Sequence, residues 1–196
     1  MLAVGINGYF IPVEWEVCVG AVLTQNTNWS NVEKALASLK QAGCVSVPAT
    51  ATITTKQLQA LIKSSGFFTQ KAERLKTLAS FITTFPSFAH FQKTVTREQL
   101  LSLKGVGPET ADSILLYACN RPSFVIDAYT RRLCTALKIK LENKKTDFSK
   151  VPYEIIREFF ETNLPKDVGL YKEFHALIVA EGKTNSTASL LPERKP

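Results

Sequence analysis

Two groups of residues could do chemistry: a glycine turn that could cradle a phosphate and a carboxylate at a helix start. The first is LLSLKGVGPETADSILLYA, Leu100 to Ala118, where the turn Lys104-Gly105-Val106-Gly107 joins two apolar stretches. Glycine tolerates positive φ and lets a ligand approach the backbone. Pro108 suits the first turn of a helix whose orphan N–H groups point outward. N–H groups at Gly105, Gly107 and Glu109 could then face a phosphate, although a lone G-x-G is more often the mark of a plain αα-corner. The flanking Leu100, Leu101, Leu103, Ala111, Ile114 and Leu115 set the turn between helices that pack on each other, the layout of a helix-hairpin-helix. The second group is VIDAYTRRL, where Asp127 follows an apolar pair and opens a helix. A carboxylate there caps orphan N–H groups, stays ionised, and can stabilise a developing cation or activate water.

The elements that must position these groups read as helices. Apolar residues recur at three and four spacings over Val13 to Leu23, Val32 to Leu39, Leu75 to Phe85 and Ile155 to Phe160, with no run of strand-like alternation. Helix starts are expected at Asn28 or Ser30, at Thr96 with Gln99 as a capping box, and at Thr146 to Ser149. The prolines at 48, 86, 108, 122, 152 and 165 punctuate short connections, so the expectation is an all-α, two-lobed helical bundle carrying the hairpin motif. Residues 184–196 are polar and turn-rich, the composition of a flexible tail.

Composition narrows the function classes. The 196 residues suit one large domain or two small lobes, and 45% hydrophobic with 21% charged residues is the make-up of a globular protein. No stretch approaches the ~20 apolar residues of a membrane span. The opening MLAVGINGYF has no basic n-region, so a cytoplasmic, nucleoid-associated location is expected. Twenty-four Lys+Arg against 17 Asp+Glu give a net charge of +7, a surplus that suits a polyanion such as nucleic acid. Cys18, Cys44, Cys119 and Cys134 stand far apart without zinc or iron–sulfur spacing and read as buried free thiols.

The order hairpin, Gly-Val-Gly, Pro108, then Val-x-Asp resembles the helix-hairpin-helix (HhH-GPD) DNA glycosylase superfamily, in its endonuclease III branch. GAVLTQNT (Gly20 to Thr27) looks like the family's helix end bearing a glutamine that enters the duplex, here Gln25. GFFTQKAERL (Gly66 to Leu75) looks like its next element, with Phe67 where the family places an apolar wedge. FHALIVAEGK (Phe174 to Lys183) resembles the last helix before the family's cluster loop. The similarity runs from Glu14 to Lys183. It implies one glycosylase domain over 1–183, with a central lobe of about 28–125 and a second lobe drawn from both termini.

Departures from the family pattern carry information as well. Glu109 stands where strand-cleaving members have a Schiff-base lysine, so a monofunctional enzyme is implied. Ala21 replaces the glutamate of adenine-mispair enzymes. After Gly182 the sequence KTNSTASLLPERKP holds no cysteine for an iron–sulfur cluster. This combination is similar to the cluster-free bacterial 3-methyladenine DNA glycosylases.

The resemblance then implies these roles: Asp127 as catalytic carboxylate, Gln25 and Phe67 as duplex-intercalating residues, and Trp29, Tyr9, Phe10, Lys183 and Glu109 at the base pocket. Gly105, Val106 and Gly107 with Lys71, Lys104 and Arg131 would hold phosphate. The carbonyls of Leu101, Leu103 and Val106 match positions where the family binds Na+ or K+. His175, on an apolar stretch, reads as a satisfied core or supporting histidine rather than a catalyst. The partner implied is double-stranded DNA with a damaged base, bound by a monomer, with no membrane and no organic cofactor. Two other readings stay open. One is an endonuclease III-like activity on oxidised pyrimidines with an amine such as Lys104 as nucleophile, and the other is a non-catalytic DNA-binding module.

Overall fold

A computed structural model describes residues 14–141 and 144–184. Among them are eleven α-helices: α1 (Glu14–Leu23), α2 (Trp29–Gln41), α3 (Val47–Thr52), α4 (Thr55–Leu61), α5 (Phe68–Ile82), α6 (Phe88–Thr94), α7 (Arg97–Leu101), α8 (Pro108–Ser113), α9 (Ala128–Ala136), α10 (Tyr153–Asn163) and α11 (Val168–Thr184). The all-α expectation holds, apart from a two-rung antiparallel ribbon that pairs β1 (Lys140–Leu141) with β2 (Lys144–Lys145). No helix among the described residues is long and apolar enough to cross a membrane.

The chain divides at Arg121/Pro122 into two compact units. The first is organised around α1, EWEVCVGAVL, in which every residue except Glu14 is buried. A helix apolar on all sides must be surrounded. Val32, Ala35, Leu36 and Leu39 of α2, Leu75, Leu78, Ala79 and Ile82 of α5, and Ala111, Ile114 and Leu115 from the hairpin all join its core. The polar exception, Glu16, pairs with Lys40 Nζ at 2.7 Å. This packing groups α1 with the hairpin, whereas the expected division gave the residues before about 28 to the other lobe.

Local rules set several helix ends where the sequence placed them. Asn28 caps α2 by accepting from Asn31 N–H, and Thr96 with Gln99 closes the capping box of α7. α8 runs on into a π-helical turn, Ile114–Ala118, where the Cys119 N–H reaches back to the Ile114 carbonyl at 2.9 Å. The expected start at Thr146 to Ser149 is different. There Ser149 donates its N–H and hydroxyl to Asp147 Oδ1 in a local turn, and α10 begins after Pro152.

The second unit is built around Phe124, stacked on Phe160 at 4.3 Å and edge-on to Tyr171 and Phe174. Of the cysteines, Cys18, Cys119 and Cys134 are buried free thiols and Cys44 is only partly buried. Burial pushes the Cys119 and Cys134 thiols up to about 12 and about 11, which makes them poor nucleophiles.

Candidate active site

In the first unit the hairpin is a rigid presentation of a glycine turn. Gly105 takes φ +88°, a conformation a side chain resists. A Cβ there would also lie 2.5 Å from Arg74 Cγ, so glycine is required both by the turn and by its neighbour. The two hairpin helices are locked by a bidentate pair in which Arg97 Nε and Nη2 donate to Asp112 Oδ1 and Oδ2 at 2.7 and 3.1 Å. Asp112 is fully buried. Gly107 stands at the N-cap of α8 and, having no side chain, makes no side-chain cap there. Lys104 is exposed, Val106 is buried, and Glu109 is exposed in the first turn of α8.

Gln25 is brought directly onto this turn. Its Nε2 donates to the Gly105 carbonyl at 3.2 Å and to Thr110 Oγ1 at 2.9 Å, while its Oε1 accepts from Arg74 Nη1. The residue expected to enter a duplex is therefore docked on the hairpin. Entering one requires it to leave all three partners. Arg74 and Thr110 were not singled out in the sequence, because contacts 49 and 85 residues away leave no local pattern.

Phe67 stands at the start of α5 with φ +45°, is 63% exposed, and makes no side-chain cap. A non-glycine residue held left-handed costs about 1–3 kcal/mol, a strain often found where a residue serves a site. Lys71, one turn on, corrects the expectation of a phosphate contact. It is 1% exposed and its Nζ donates to the carbonyls of Leu23 and Ser65 at 2.9 and 2.6 Å, tying the end of α1 to the turn before α5. Burial, with a smaller push from the Arg74 charge, lowers its ammonium to about 8. Trp29 opens α2, packs partly on the core, and donates Nε1 to Glu33 Oε1 at 2.9 Å. Tyr9 and Phe10 lie outside the described residues.

In the second unit Asp127 is fixed by its own helix. As N-cap of α9 it accepts from Thr130 N–H at 2.7 Å and from Thr130 Oγ1 at 2.9 Å, both at Oδ1. The strand-like approach is fastened too, with Phe124 N–H donating to Glu161 Oε1 at 2.9 Å and Ile126 N–H to Tyr153 Oη at 3.2 Å. Oδ2 faces His175 Nε2 at 3.6 Å across the packing of α9 on α11. Burial raises the Asp127 pKa, but the contact and charge of His175 and the two Thr130 hydrogen bonds outweigh it. The carboxyl is held below its ordinary value.

Arg131 corrects a second phosphate expectation, since its Nη1 donates to the carbonyls of Phe148 and Val151 at 2.7 Å each and anchors that loop to α9. Lys183 is exposed in the last turn of α11. The preceding Gly182 lies so close to Tyr129 that a Cβ would fall 2.1 Å from its Cδ1. His175 is 7% exposed. Its apolar neighbours in sequence hid its place beside the carboxylate. Among the described residues no group of three or more His, Cys, Asp or Glu could hold a metal ion.

Known proteins are similar to this chain. MJ1434 of Methanocaldococcus jannaschii, which bears the name of a candidate DNA repair glycosylase, is 45% identical over 183 residues, covering 90% of this chain and 80% of the relative. The crystal structure of the Helicobacter pylori 3-methyladenine DNA glycosylase MagIII, bound to 1,N6-ethenoadenine, superimposes with a TM-score of 0.74 at 34% identity over 91% of this chain and 88% of that one. A non-covalent endonuclease III–DNA complex superimposes with a TM-score of 0.72 at 18% identity, covering 94% and 79%, and so shows the shared fold alone. The sequence model of the HhH-GPD superfamily of base excision DNA repair proteins matches residues 19–158, and the chain belongs to that superfamily as a DNA repair glycosylase.

Proposed function

We propose that this protein is a monofunctional DNA glycosylase that hydrolyses the N-glycosidic bond of alkylated purines, 3-methyladenine foremost, in double-stranded DNA. The observation that carries the reading is the setting of Asp127: half-buried, with Oδ1 taken by Thr130 N–H and Oγ1, Oδ2 toward His175 Nε2 at 3.6 Å, and the carboxyl held below its ordinary pKa. A carboxylate held below its usual range is a weak proton acceptor and a strong stabiliser of nearby positive charge. That matches a reaction in which the C1′–N bond breaks with its electron pair leaving on the base and positive charge gathers on the sugar. Water oxygen then joins C1′ and sheds its proton to solvent. A cationic alkylpurine departs neutral without being protonated, so no general acid is needed.

The remaining residues serve access and grip. Swinging a nucleotide out of the stack costs a few kcal/mol. Phe67, already turned to solvent, would wedge the step, and Gln25, released from the hairpin, would face the widowed base. The uncapped start of α8 and the exposed Lys104 would take a strand phosphate. A monovalent cation at the Leu101, Leu103 and Val106 carbonyls is part of the same reading. The Leu103 oxygen already accepts the Val106 N–H at 3.0 Å and would offer such an ion only its second lone pair. Glu109 in the first turn of α8 supplies no amine for an imine, which supports hydrolysis without strand cleavage.

Trp29, with Tyr9 or Phe10, gives a cationic base an aromatic face worth ~0.5–2 kcal/mol. The sequence likeness to the Helicobacter pylori 3-methyladenine enzyme supports that choice of substrate. Single-turnover release from duplexes carrying 3-methyladenine, thymine glycol or uracil tests it, with 3-methyladenine expected to be freed fastest. Trp29→Ala should slow that release about tenfold to a hundredfold. Equal rates on all three lesions would overturn the substrate assignment.

A further inference from the structure

We propose that His175 is the positioning residue of Asp127, holding the carboxylate's second oxygen so that its rotamer and its negative charge are both set before DNA arrives. The inference rests on the reading of Asp127 as the working carboxylate. The geometry divides the two oxygens cleanly. Oδ1 is spent on the N-terminus of α9 through Thr130 N–H and Oγ1, so the helix alone fixes only one side of the group. Oδ2, the oxygen free to face a reacting sugar, has His175 Nε2 at 3.6 Å. A carboxylate pinned at one oxygen can still swing about χ2, and a second contact removes that freedom. His175 is itself held in place: it is 7% exposed and sits on α11 between the buried Tyr171 and the buried Ile178 and Val179.

Several charged groups on the packed elements have partners of their own. On α9, Arg131 is turned onto the Phe148 and Val151 carbonyls and Arg132 lies over the Tyr129 ring at 4.4 Å. On α10, Glu161 binds Phe124 N–H and Arg157, and Arg157 also binds Glu154. On α11, burial raises the Tyr171 hydroxyl, with Glu161 adding to it, and burial lowers the Lys172 ammonium. The groups that act on the Asp127 carboxyl are His175 and Thr130.

The sign of the consequence follows. Burial pushes Asp127 toward its neutral form, and His175 is the largest of the influences that oppose burial. Removing His175 leaves the burial in place with Thr130 alone against it, so Asp127 should protonate at a higher pH and the acid limb of base release should move up.

The test compares wild type with His175→Leu, His175→Asn and His175→Gln. Glutamine places an amide nitrogen where Nε2 stands, whereas asparagine is too short to reach and leucine has no donor. Single-turnover base release is followed on methylnitrosourea-treated duplex DNA from about pH 5 to about pH 8, beside a carboxyl-13C titration of Asp127 that needs no substrate. The Leu and Asn variants should lose activity at the acid end relative to wild type and much less at the alkaline end, with Gln, which returns a donor but not the charge, restoring part of the wild-type profile. Their 13C titration of Asp127 should move to higher pH in step. An unmoved 13C titration in folded Leu and Asn variants, or a rate loss uniform across pH that Gln does not rescue, overturns the proposal. If wild type releases no base while the 13C titration still shifts, the functional reading of Asp127 falls and the positioning contact stands.

Discussion

The starts of α8 and α9 are two helix N-termini with opposite constructions. α8 opens on Gly107, which has no side chain with which to cap the helix, beside a glycine turn. α9 opens on Asp127, whose own carboxylate fills that place through Thr130. An N-terminus left open attracts an anion from outside the protein, and one closed by a carboxylate stabilises that carboxylate's charge. On the proposed reading, the same backbone dipole would provide a grip for phosphate in one unit and a fixed negative charge in the other.

The largest effect should come from removing the charge at the closed terminus. Asp127→Asn keeps the shape and the contact with Thr130 N–H but loses the negative charge, so base release should fall about a hundredfold to a thousandfold. Binding to duplex DNA with a tetrahydrofuran abasic site should change by less than about tenfold, because the charge serves the transition state more than the ground state. Retention of more than a tenth of the wild-type rate in a single-turnover assay would remove Asp127 from the chemistry. The pH dependence has a definite sign. The Asp127 pKa is depressed in the folded state, so its contribution to both activity and stability is present above the ordinary carboxylate range and is lost as pH falls through the lowered folded value.

The open terminus should fail through its support. Asp112→Ala leaves Arg97 partly buried without its bidentate partner and should destabilise the fold by about 3–5 kcal/mol, read from urea unfolding. A change under about 1 kcal/mol would mean that the pair does not lock the hairpin. Gly105→Ala is expected to cost less, about 1–3 kcal/mol, from its φ of +88° and the Arg74 stem beside it. Its affinity for duplex DNA should fall with it.

How much of this was legible in the sequence follows the range of the interactions. The glycine turn, the Asn28 cap, the Thr96–Gln99 box and the Asp127 cap were readable because each is made within about four residues. The resting partners of Lys71 and Gln25 were not. Lys71 sits in a stretch that matches the family's wedge element and was read as a phosphate contact. Its role is set by the Leu23 carbonyl, 48 residues earlier, which no local pattern records. Gln25 was assigned to the duplex, and the structure shows where it rests without one. The place of the first helix was hard to read for a related reason. An all-apolar helix such as α1 announces that it is surrounded but not by which elements.

The smallest effects separate two lysines that looked alike. Lys71→Met should lower stability by about 1–3 kcal/mol, because it leaves two buried carbonyls without their donor, while the salt dependence of DNA binding stays as in wild type. Lys104→Ala should leave the melting temperature unchanged and reduce the slope of log K against log salt by about 1. The reverse pattern in fluorescence-anisotropy titrations would return Lys71 to the DNA-binding surface.

The central claim, hydrolysis by a carboxylate with no amine nucleophile, is tested most directly by incubating the protein with methylated duplex DNA in the presence of sodium borohydride. The account predicts that free 3-methyladenine accumulates, that strand scission appears only after alkali, and that no protein–DNA adduct is retained on a denaturing gel. A covalent adduct formed in proportion to the base released would contradict it and show that an amine of this chain, and not the charge of Asp127, opens the sugar.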